Sequence, residues 1–234
     1  MNTHITAKPI DFKFGDYISK GFNLLKNNYG SVFLGFLVTI VMSIIPFCGL
    51  VALGNYHKYL RKISKNQNAS AGEIFDFKDF MPYFILQLII LAAVFVMYIP
   101  IIIIVAITGG VSEYSNDGGS SFPFILFPVM AIMIFFLYYL LLKTFYIVPL
   151  ISLKGITDIK TAWNISKVMT KGNLIMILLF SIVLSFLSQL GILACGIGIF
   201  FTLPLIYTCN HIAYEDALQQ IEYDEIKEIG TQEL

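Results

Sequence analysis

The chain is poor in charged residues, and this shortage sets the first limit on its class. Of its 234 residues, 13% are charged and 57% are hydrophobic. A soluble domain has about 25% charged residues, so this chain lacks the polar surface that a water-soluble protein of its length needs. The composition therefore predicts an integral membrane protein.

Cysteine is scarce as well, with three residues in the whole chain. Cys48, Cys195 and Cys209 fit neither a disulfide framework nor a cysteine metal site. Free thiols that pack as small apolar side chains are the favoured interpretation. Because Cys48 and Cys195 both fall near predicted outer turns, a bridge between them stays open as the alternative.

Histidine is equally rare, and the motifs of common enzyme classes are missing from the sequence. No phosphate-binding loop, glycine-rich nucleotide motif, HExxH zinc motif or Ser-His-Asp set is present. We therefore predict no catalytic residue, no cofactor and no metal. The alternative is a metal site in which His57 and His211 join Glu215 and Asp216.

The distribution of charge predicts an orientation in the membrane. Fourteen of the fifteen Lys and Arg residues precede Gly172, and seven of the fifteen acids follow Tyr214. Cytoplasmic loops carry the excess of positive charge. Six apolar stretches threaded through a bilayer leave all fifteen basic residues on one side, so both termini are predicted to be cytoplasmic, and no basic patch is left that suggests nucleic acid. The predicted spans are the two arms of residues 31–60, then 82–108, 122–142, 173–190 and 192–207.

The first two spans form an unusual hairpin in this prediction. Residues 31–60 are flanked by basic residues on both sides, so the stretch must turn back, and Pro46 to Gly49 is the predicted turn. The second arm has only about 12 apolar residues, fewer than the ~20 that span a bilayer. A shallow or tilted hairpin is expected, and whether it crosses fully stays open.

Two segments outside the spans have amphipathic helical periodicity. Residues 11–28 place apolar side chains on one helical face and lysines on the other, and residues 157–171 repeat the pattern. Both are predicted to lie in the headgroup plane, and for residues 11–28 packing against the cytoplasmic ends of the bundle is the alternative. The predicted lipid contacts are Lys13, Lys20, Lys26, Lys160, Trp163, Lys167 and Lys171.

Polar residues inside the predicted spans are few and uncharged. The absence of an ionisable residue deep in a span argues against ion-coupled transport. Gln87, Ser185 and Gln189 are candidates for the lining of a cavity, although interhelical hydrogen bonding is the favoured interpretation.

Small residues recur in the last predicted hairpin, and a proline follows them. Gly191, Ala194, Cys195 and Gly198 form pairs four apart, which predicts close helix packing. Pro204 is predicted to kink the sixth span.

The two ends of the chain resemble each other internally. A shift of 142 residues places Asp16 on Asp158 and Gly30 on Gly172. This predicts a duplicated unit with parallel repeats. Within a single membrane domain, the predicted parts are repeat 1 at about 11–63, central spans at 82–153, repeat 2 at about 155–217 and an acidic cytoplasmic tail at 218–234.

Several short motifs resemble a known group of proteins. They include Ala162-Trp163-Asn164-Ile165-Ser166, Lys171-Gly172-Asn173, Leu190-Gly191, Thr202-Leu203-Pro204 and Ala213-Tyr214-Glu215-Asp216. Over residues 140–217 the chain resembles a family of bacterial six-span integral membrane proteins of unknown function. It is similar to the membrane domain fused, in some bacteria, to glycerophosphodiester phosphodiesterases. The resemblance implies a fold and an inner-membrane location but no activity.

The sequence therefore predicts an all-α membrane protein of six spans with two interfacial helices. The predicted function is non-enzymatic, as a membrane scaffold or accessory subunit. Its predicted partners are membrane lipids and a protein that binds the cytoplasmic face. The alternative is a small permease or lipid-handling transporter that uses a cleft between the repeats.

Overall fold

A computed structural model describes residues 7–107, 122–193 and 198–231, and every regular element in these ranges is helical. The predicted outer loop at 109–121, together with Ala194 and Cys195, lies outside the described residues. The helices are α1 Phe14–Asn27, α2 Tyr29–Ser43, α3 Gly49–Ser64, α4 Phe80–Ile107, α5 Phe122–Lys143, α6 Ile147–Lys154, α7 Ile159–Met169, α8 Leu174–Gln189, α9 Gly198–Thr202 and α10 Pro204–Thr231, with 3-10 turns at Ala71–Phe75 and Leu190–Leu193.

The chain divides into two compact units. The larger one, here called the main unit, comprises residues 1–84 and 142–234. The smaller one, the hairpin unit, comprises residues 85–141 and contains most of α4 and α5. Nearly all described side chains of the hairpin unit are exposed or half-exposed, and almost all are apolar. Such a surface is compatible with lipid and incompatible with stable exposure to water.

Three helical stretches are long and apolar enough to cross a membrane: Phe80–Ala106, Phe127–Lys154 and Leu174–Ile192. A fourth candidate arises when α1 and α2, which meet at a bend of 97°, are taken as one broken span. The prediction of six spans is therefore wrong for the residues described, because the return arms that follow α2 and α8 are either too polar or interrupted.

The return arm after α2 is helix α3, and it packs against α2. The chain reverses at residues 44–48, where Phe47 has a φ of 64°, so the predicted turn at Pro46 to Gly49 is confirmed. The hydroxyls of Tyr56 and Tyr59 of α3 donate hydrogen bonds to backbone carbonyl oxygens near the start of α2, and each oxygen–oxygen distance is 2.9 Å. Helix α3 is thus buried by protein along one side and does not present an apolar surface to lipid.

The return arm after α8 is interrupted at the position of the predicted kink. Helix α9 ends at Thr202 and α10 begins with Pro204, so the proline starts a helix instead of bending one. A proline at the first helical position costs little because its missing N–H would have no partner there. Helix α10 then continues past Asn210 and His211 into the acidic tail.

Helix α1 packs its apolar stripe against α10. Tyr17, Gly21 and Leu25, spaced four apart, are buried, whereas Phe22 of the predicted apolar face is 52% exposed. A Cβ added at Gly21 would lie 2.6 Å from Cα of Cys209, so the two helices cross in close contact there. Packing against other helices, the alternative interpretation of this segment, therefore describes α1 in the structure.

Candidate functional site

Helix α10 is held in the main unit by ion pairs to three different helices. Glu215 pairs with Arg61 of α3, and Glu222 pairs with Lys154 of α6. Lys13, next to the first turn of α1, pairs with Asp216 at 3.2 Å. Three of the acids that follow Tyr214 therefore neutralise basic residues far away in sequence, and these pairs tie α10 to earlier parts of the chain.

Arg61 occupies the centre of this arrangement. Its Nε donates to Glu215, and its Nη1 donates to the carbonyl oxygen of Leu153 over 2.9 Å. The Arg61 and Glu215 side chains are 26% and 15% exposed, so water screens the pair only in part. The planar guanidinium thereby joins α3, α6 and α10 at one point.

Two histidines lie buried beside Arg61 at the interface of α3 and α10. The rings of His57 and His211 are nearly parallel, with centroids 5.9 Å apart and an interplanar angle of 14°. His57 is 1% exposed and His211 is fully buried. Nδ1 of His57 and both ring nitrogens of His211 have no hydrogen-bond partner among the described residues.

Burial favours the uncharged form of both imidazoles. It lowers the pKa of His57 to about 3. Burial also lowers the pKa of His211 well below its ordinary value, and the nearby His57, Arg61 and Lys65 lower it further by charge repulsion. Both histidines are therefore neutral at physiological pH.

Tyrosines surround the histidine pair and complete a buried aromatic cluster. The ring of Tyr214 meets that of His57 edge to face at a centroid distance of 5.0 Å, and Tyr146 contacts Tyr214 at 6.1 Å. Tyr17 donates its hydroxyl to Asp216 over 2.6 Å. We call His57, His211, Tyr214, Arg61 and Glu215 the histidine cluster.

The metal site considered as an alternative is not formed by the described residues. No group of three or more His, Cys, Asp or Glu residues in those ranges lies close enough to hold a metal ion. Glu215 Oε1 is 3.9 Å from His211 Nε2 and is engaged by Arg61, while Asp216 is engaged by Lys13 and Tyr17. Charge pairing therefore occupies the carboxylates that a metal would need.

The residues predicted to contact lipid occupy the surface of the main unit. Lys13 and Lys20 form ion pairs, the latter with Asp16 at 3.8 Å. Trp163 is half-buried on α7. The remaining lysines of the set are exposed: Lys26, Lys160, Lys167 and Lys171. Nothing in the structure tests lipid contact, so this role stays a prediction.

The residues predicted to line a cavity belong to two different units. In the hairpin unit, Oε1 of Gln87 is buried without a hydrogen-bond partner in the described chain. On α8, Ser185 and Gln189 are exposed. Two other serines of α8, Ser181 and Ser188, donate their hydroxyls to carbonyls of their own helix at 2.9 and 2.8 Å.

The glycines predicted to allow close packing do lie close together. A Cβ on Gly191 would be 2.5 Å from Oγ1 of Thr202, and it would also overlap the backbone of Gly198. The hydroxyl of Thr202 donates to the carbonyl of Ser188. Ala194 and Cys195 belong to the part of the chain that is not described.

Sequence reasoning brought the two histidines together only in the alternative metal site and did not place Arg61 beside them, although the sequence contains a signal for that arrangement. His57 precedes Arg61 by four residues on α3, and His211 precedes Glu215 by four residues on α10. Residues four apart share a helical face, so each histidine lies on the same face as a charge, and the two charges are opposite. Facing these two helices toward each other would have brought all four side chains together.

Comparison with protein-family models, with curated proteins and with solved structures finds no match for the chain. The resemblance to six-span bacterial membrane proteins accordingly stays a prediction.

Proposed function

We propose that the chain is a membrane scaffold or accessory subunit, whose main unit forms a rigid helical platform at the cytoplasmic surface. The observation that carries the proposal is the set of ion pairs joining α10 to α1, α3 and α6. These pairs link helices that are less apolar than α4, α5 and α8. A platform of this kind holds a fixed surface next to a bilayer, which is what a docking subunit needs.

Chain reversals support placing the platform on one side of the membrane. Helix α3 runs back along α2, because its tyrosines reach carbonyls at the start of α2. After the turn that follows α8, the chain returns to the level where α8 begins, because Asn173 and Gln220 donate to the carbonyls of the adjacent residues Ile10 and Asp11. Each of these hairpins therefore begins and ends on the same side of the membrane. The excess of Lys and Arg assigns that side to the cytoplasm.

Exposed lysines on this platform favour anionic lipid headgroups as the first ligand. Lys26, Lys167 and Lys171 have no ion pair among the described residues. They lie at or just beyond the carboxyl ends of α1 and α7, where α2 and α8 begin. A lysine near an anionic membrane surface contributes about 1 kcal/mol.

The lipid part of the proposal is tested with two charge-matched triple variants. In the first, Lys26, Lys167 and Lys171 are changed to Gln; in the control, the ion-paired Lys62 and Lys78 are changed together with Lys65. Each protein is purified from native membranes in mild detergent, and bound anionic lipid is measured by mass spectrometry. At about 1 kcal/mol per lysine, each lost lysine weakens binding about fivefold.

Selective loss of lipid in the first variant is the expected result. Equal retention in both triple variants would contradict lipid binding at these lysines. A protein that co-purifies in fixed ratio with parent and both variants would instead identify the platform's partner as a protein.

The permease remains the second candidate function. Its one supporting observation is the unpaired, buried Oε1 of Gln87 within the hairpin unit. A groove of about 180 Å³ in the same unit is lined by eight side chains, of which Tyr98 alone has a polar hydroxyl. Such a lining suits an acyl chain better than a hydrophilic solute. Uptake of a polar solute by reconstituted vesicles, lost on Gln87→Leu, would favour the permease over the scaffold.

A further inference from the structure

The interface between α3 and α10 contains buried histidines with unsatisfied nitrogens next to positively charged side chains. Ordinary helix packing requires none of these features. Two imidazoles are stacked there out of contact with water. Three of their nitrogens find no partner in the described chain. A neutral imidazole carries one N–H donor, and leaving that donor unpaired in the interior is unfavourable. Two leucines would pack at this place without that cost.

The charged groups around the pair leave little room for additional positive charge. Arg61 and Lys65 of α3 approach from one side, and Glu215 of α10 is the nearest carboxylate, 3.9 Å from His211. Glu215 already accepts a hydrogen bond from Arg61. The ring of Tyr214 covers His57 and carries no charge.

In the part of the chain that the structure describes, the elements packed against α3 and α10 supply no further counter-charge, and Glu73 of the 3-10 turn beside α3 pairs with Lys62. Tyr146, which precedes α6, reaches the cluster only through Tyr214, and Lys154 of α6 pairs with Glu222. Asp216 faces Lys13 and Tyr17 at α1. One carboxylate thus faces two imidazoles and an arginine, so two protonated imidazoles would leave uncompensated positive charge between α3 and α10.

We propose that the His57–His211 pair is an acid-sensitive latch, in which protonation of the two stacked rings releases α10 from α3. Once released, the imidazoles become hydrated and α10 no longer fixes Glu215 against Arg61. The platform then loses the contact that joins the end of the chain to α3 and α6.

The sign of the effect follows from the titration of the two forms. In the closed form the pKa of His57 is about 3, whereas an exposed histidine titrates near 6.5. Well above pH 6.5 neither form is protonated, and the closed form keeps its full stability. As pH falls from 6.5 toward 3, the open form takes up protons that the closed form excludes, so closure weakens. At pH 5.0 the open-to-closed ratio rises by about 30-fold per histidine and by about 1000-fold for both, relative to pH 7.5.

Amide hydrogen exchange detects rare opening and therefore tests the latch even if the closed form dominates. The full-length protein in detergent micelles is compared at pH 7.5 and 5.0, with intrinsic exchange rates corrected for pH. Protection of amides at 205–222 in α10 is expected to fall by up to about 1000-fold, and protection at 175–189 in α8 is expected to stay constant. The pH range ends above the usual titration of Asp and Glu.

Two single variants and their combination serve as controls. His57→Gln and His211→Gln should each reduce the loss of protection to about 30-fold, and the double variant should show none. The latch is overturned if protection of α10 in the parent protein does not change with pH. It is equally overturned if α8 and α10 lose protection together, because that result means global unfolding. The parent alone decides both points, even if a variant fails to fold.

Discussion

At the scale of single residues, close contact and backbone conformation decide which glycines the fold requires. Gly21 lies where α1 crosses α10, and the nearest atoms to a Cβ there belong to the backbone and thiol of Cys209. Gly15, in the first turn of the same helix, has nothing within 4 Å of its Cβ position. The two glycines share a helix and differ only in what faces them.

Gly21→Ala is expected to destabilise the protein by about 1–3 kcal/mol, because a backbone neighbour cannot rotate away from the new methyl group. Gly15→Ala is the matched control, and it should leave stability unchanged or raise it slightly, since alanine favours the helix. Denaturant-induced loss of helical circular dichroism in mild detergent measures both changes. Similar midpoints for the two variants would refute a close crossing at Gly21.

A second residue-scale prediction uses the two glycines that the internal repeat aligns. Gly172 has a φ of +84°, whereas Gly30 is helical and has no atom within 4 Å of its Cβ position. Gly172→Ala should therefore cost about 1–2 kcal/mol of stability, because L-residues avoid left-handed backbone. Gly30→Ala should be neutral or stabilising. Thermal unfolding of both variants checks the difference, and equal effects would mean that the two junctions have the same geometry.

At the scale of elements, the sequence predicted helices well and their surroundings poorly. The periodicity of apolar residues predicted the bounds of α1 and α7 nearly correctly, because a hydrophobic period of 3.6 residues is a property of the local sequence. It could not tell whether the stripe of Tyr17, Gly21 and Leu25 faces lipid or protein, since both partners are apolar. The structure answers that question through α10, which lies almost two hundred residues later in the chain.

The ion pairs illustrate the same limit for the candidate site. The sequence showed that acids accumulate after Tyr214 and basic residues before Gly172, and this separation is what makes pairing across the main unit feasible. It did not reveal that Arg61 meets Glu215, because that contact spans 154 positions. Long-range pairings depend on the tertiary arrangement of helices, which composition does not encode.

A double-mutant cycle measures how much the Arg61–Glu215 pair contributes to joining α3 and α10. Arg61→Gln, Glu215→Gln and the double variant are expected to give a coupling energy of about 1–3 kcal/mol, because the pair is partly buried. The exposed Lys62–Glu73 pair is the control and should give below about 1 kcal/mol. If the two cycles give the same coupling, partial burial does not strengthen the Arg61 contact and the platform is looser than proposed.

At the scale of the whole molecule, the membrane prediction holds in its coarse form. Every regular element in the described ranges is helical, and three or four stretches are candidate spans. The count of six failed because hydropathy treated α3 and the start of α10 as lipid-facing arms. Both contain buried polar side chains that are bonded within the protein: Asn55 of α3 donates to the carbonyls of Ile74 and Asp76, and Thr208 of α10 donates to the carbonyl of Leu205. Internal satisfaction of this kind is invisible to a scale that scores residues one at a time.

The orientation of the molecule can be tested apart from the number of spans. Reporters that are active only inside or only outside the cell are fused after Ser64, after Lys154 and at the carboxyl terminus, and one is inserted within residues 109–121. The first three should report the cytoplasm and the last the exterior, because the loop at 109–121 contains two acids and no Lys or Arg.

Charge reversal provides the decisive control for this orientation. Five lysines introduced at 109–121 should weaken the preference and yield mixed reporter signals, since the rule depends on the difference in Lys and Arg between the two sides. An exterior signal after Ser64 in the parent protein would place α3 and its lysines outside, where no excess of positive charge is expected. The histidine latch would then respond to the external pH and no longer to that of the cytoplasm, so the same experiment decides which compartment's acidity the main unit can sense.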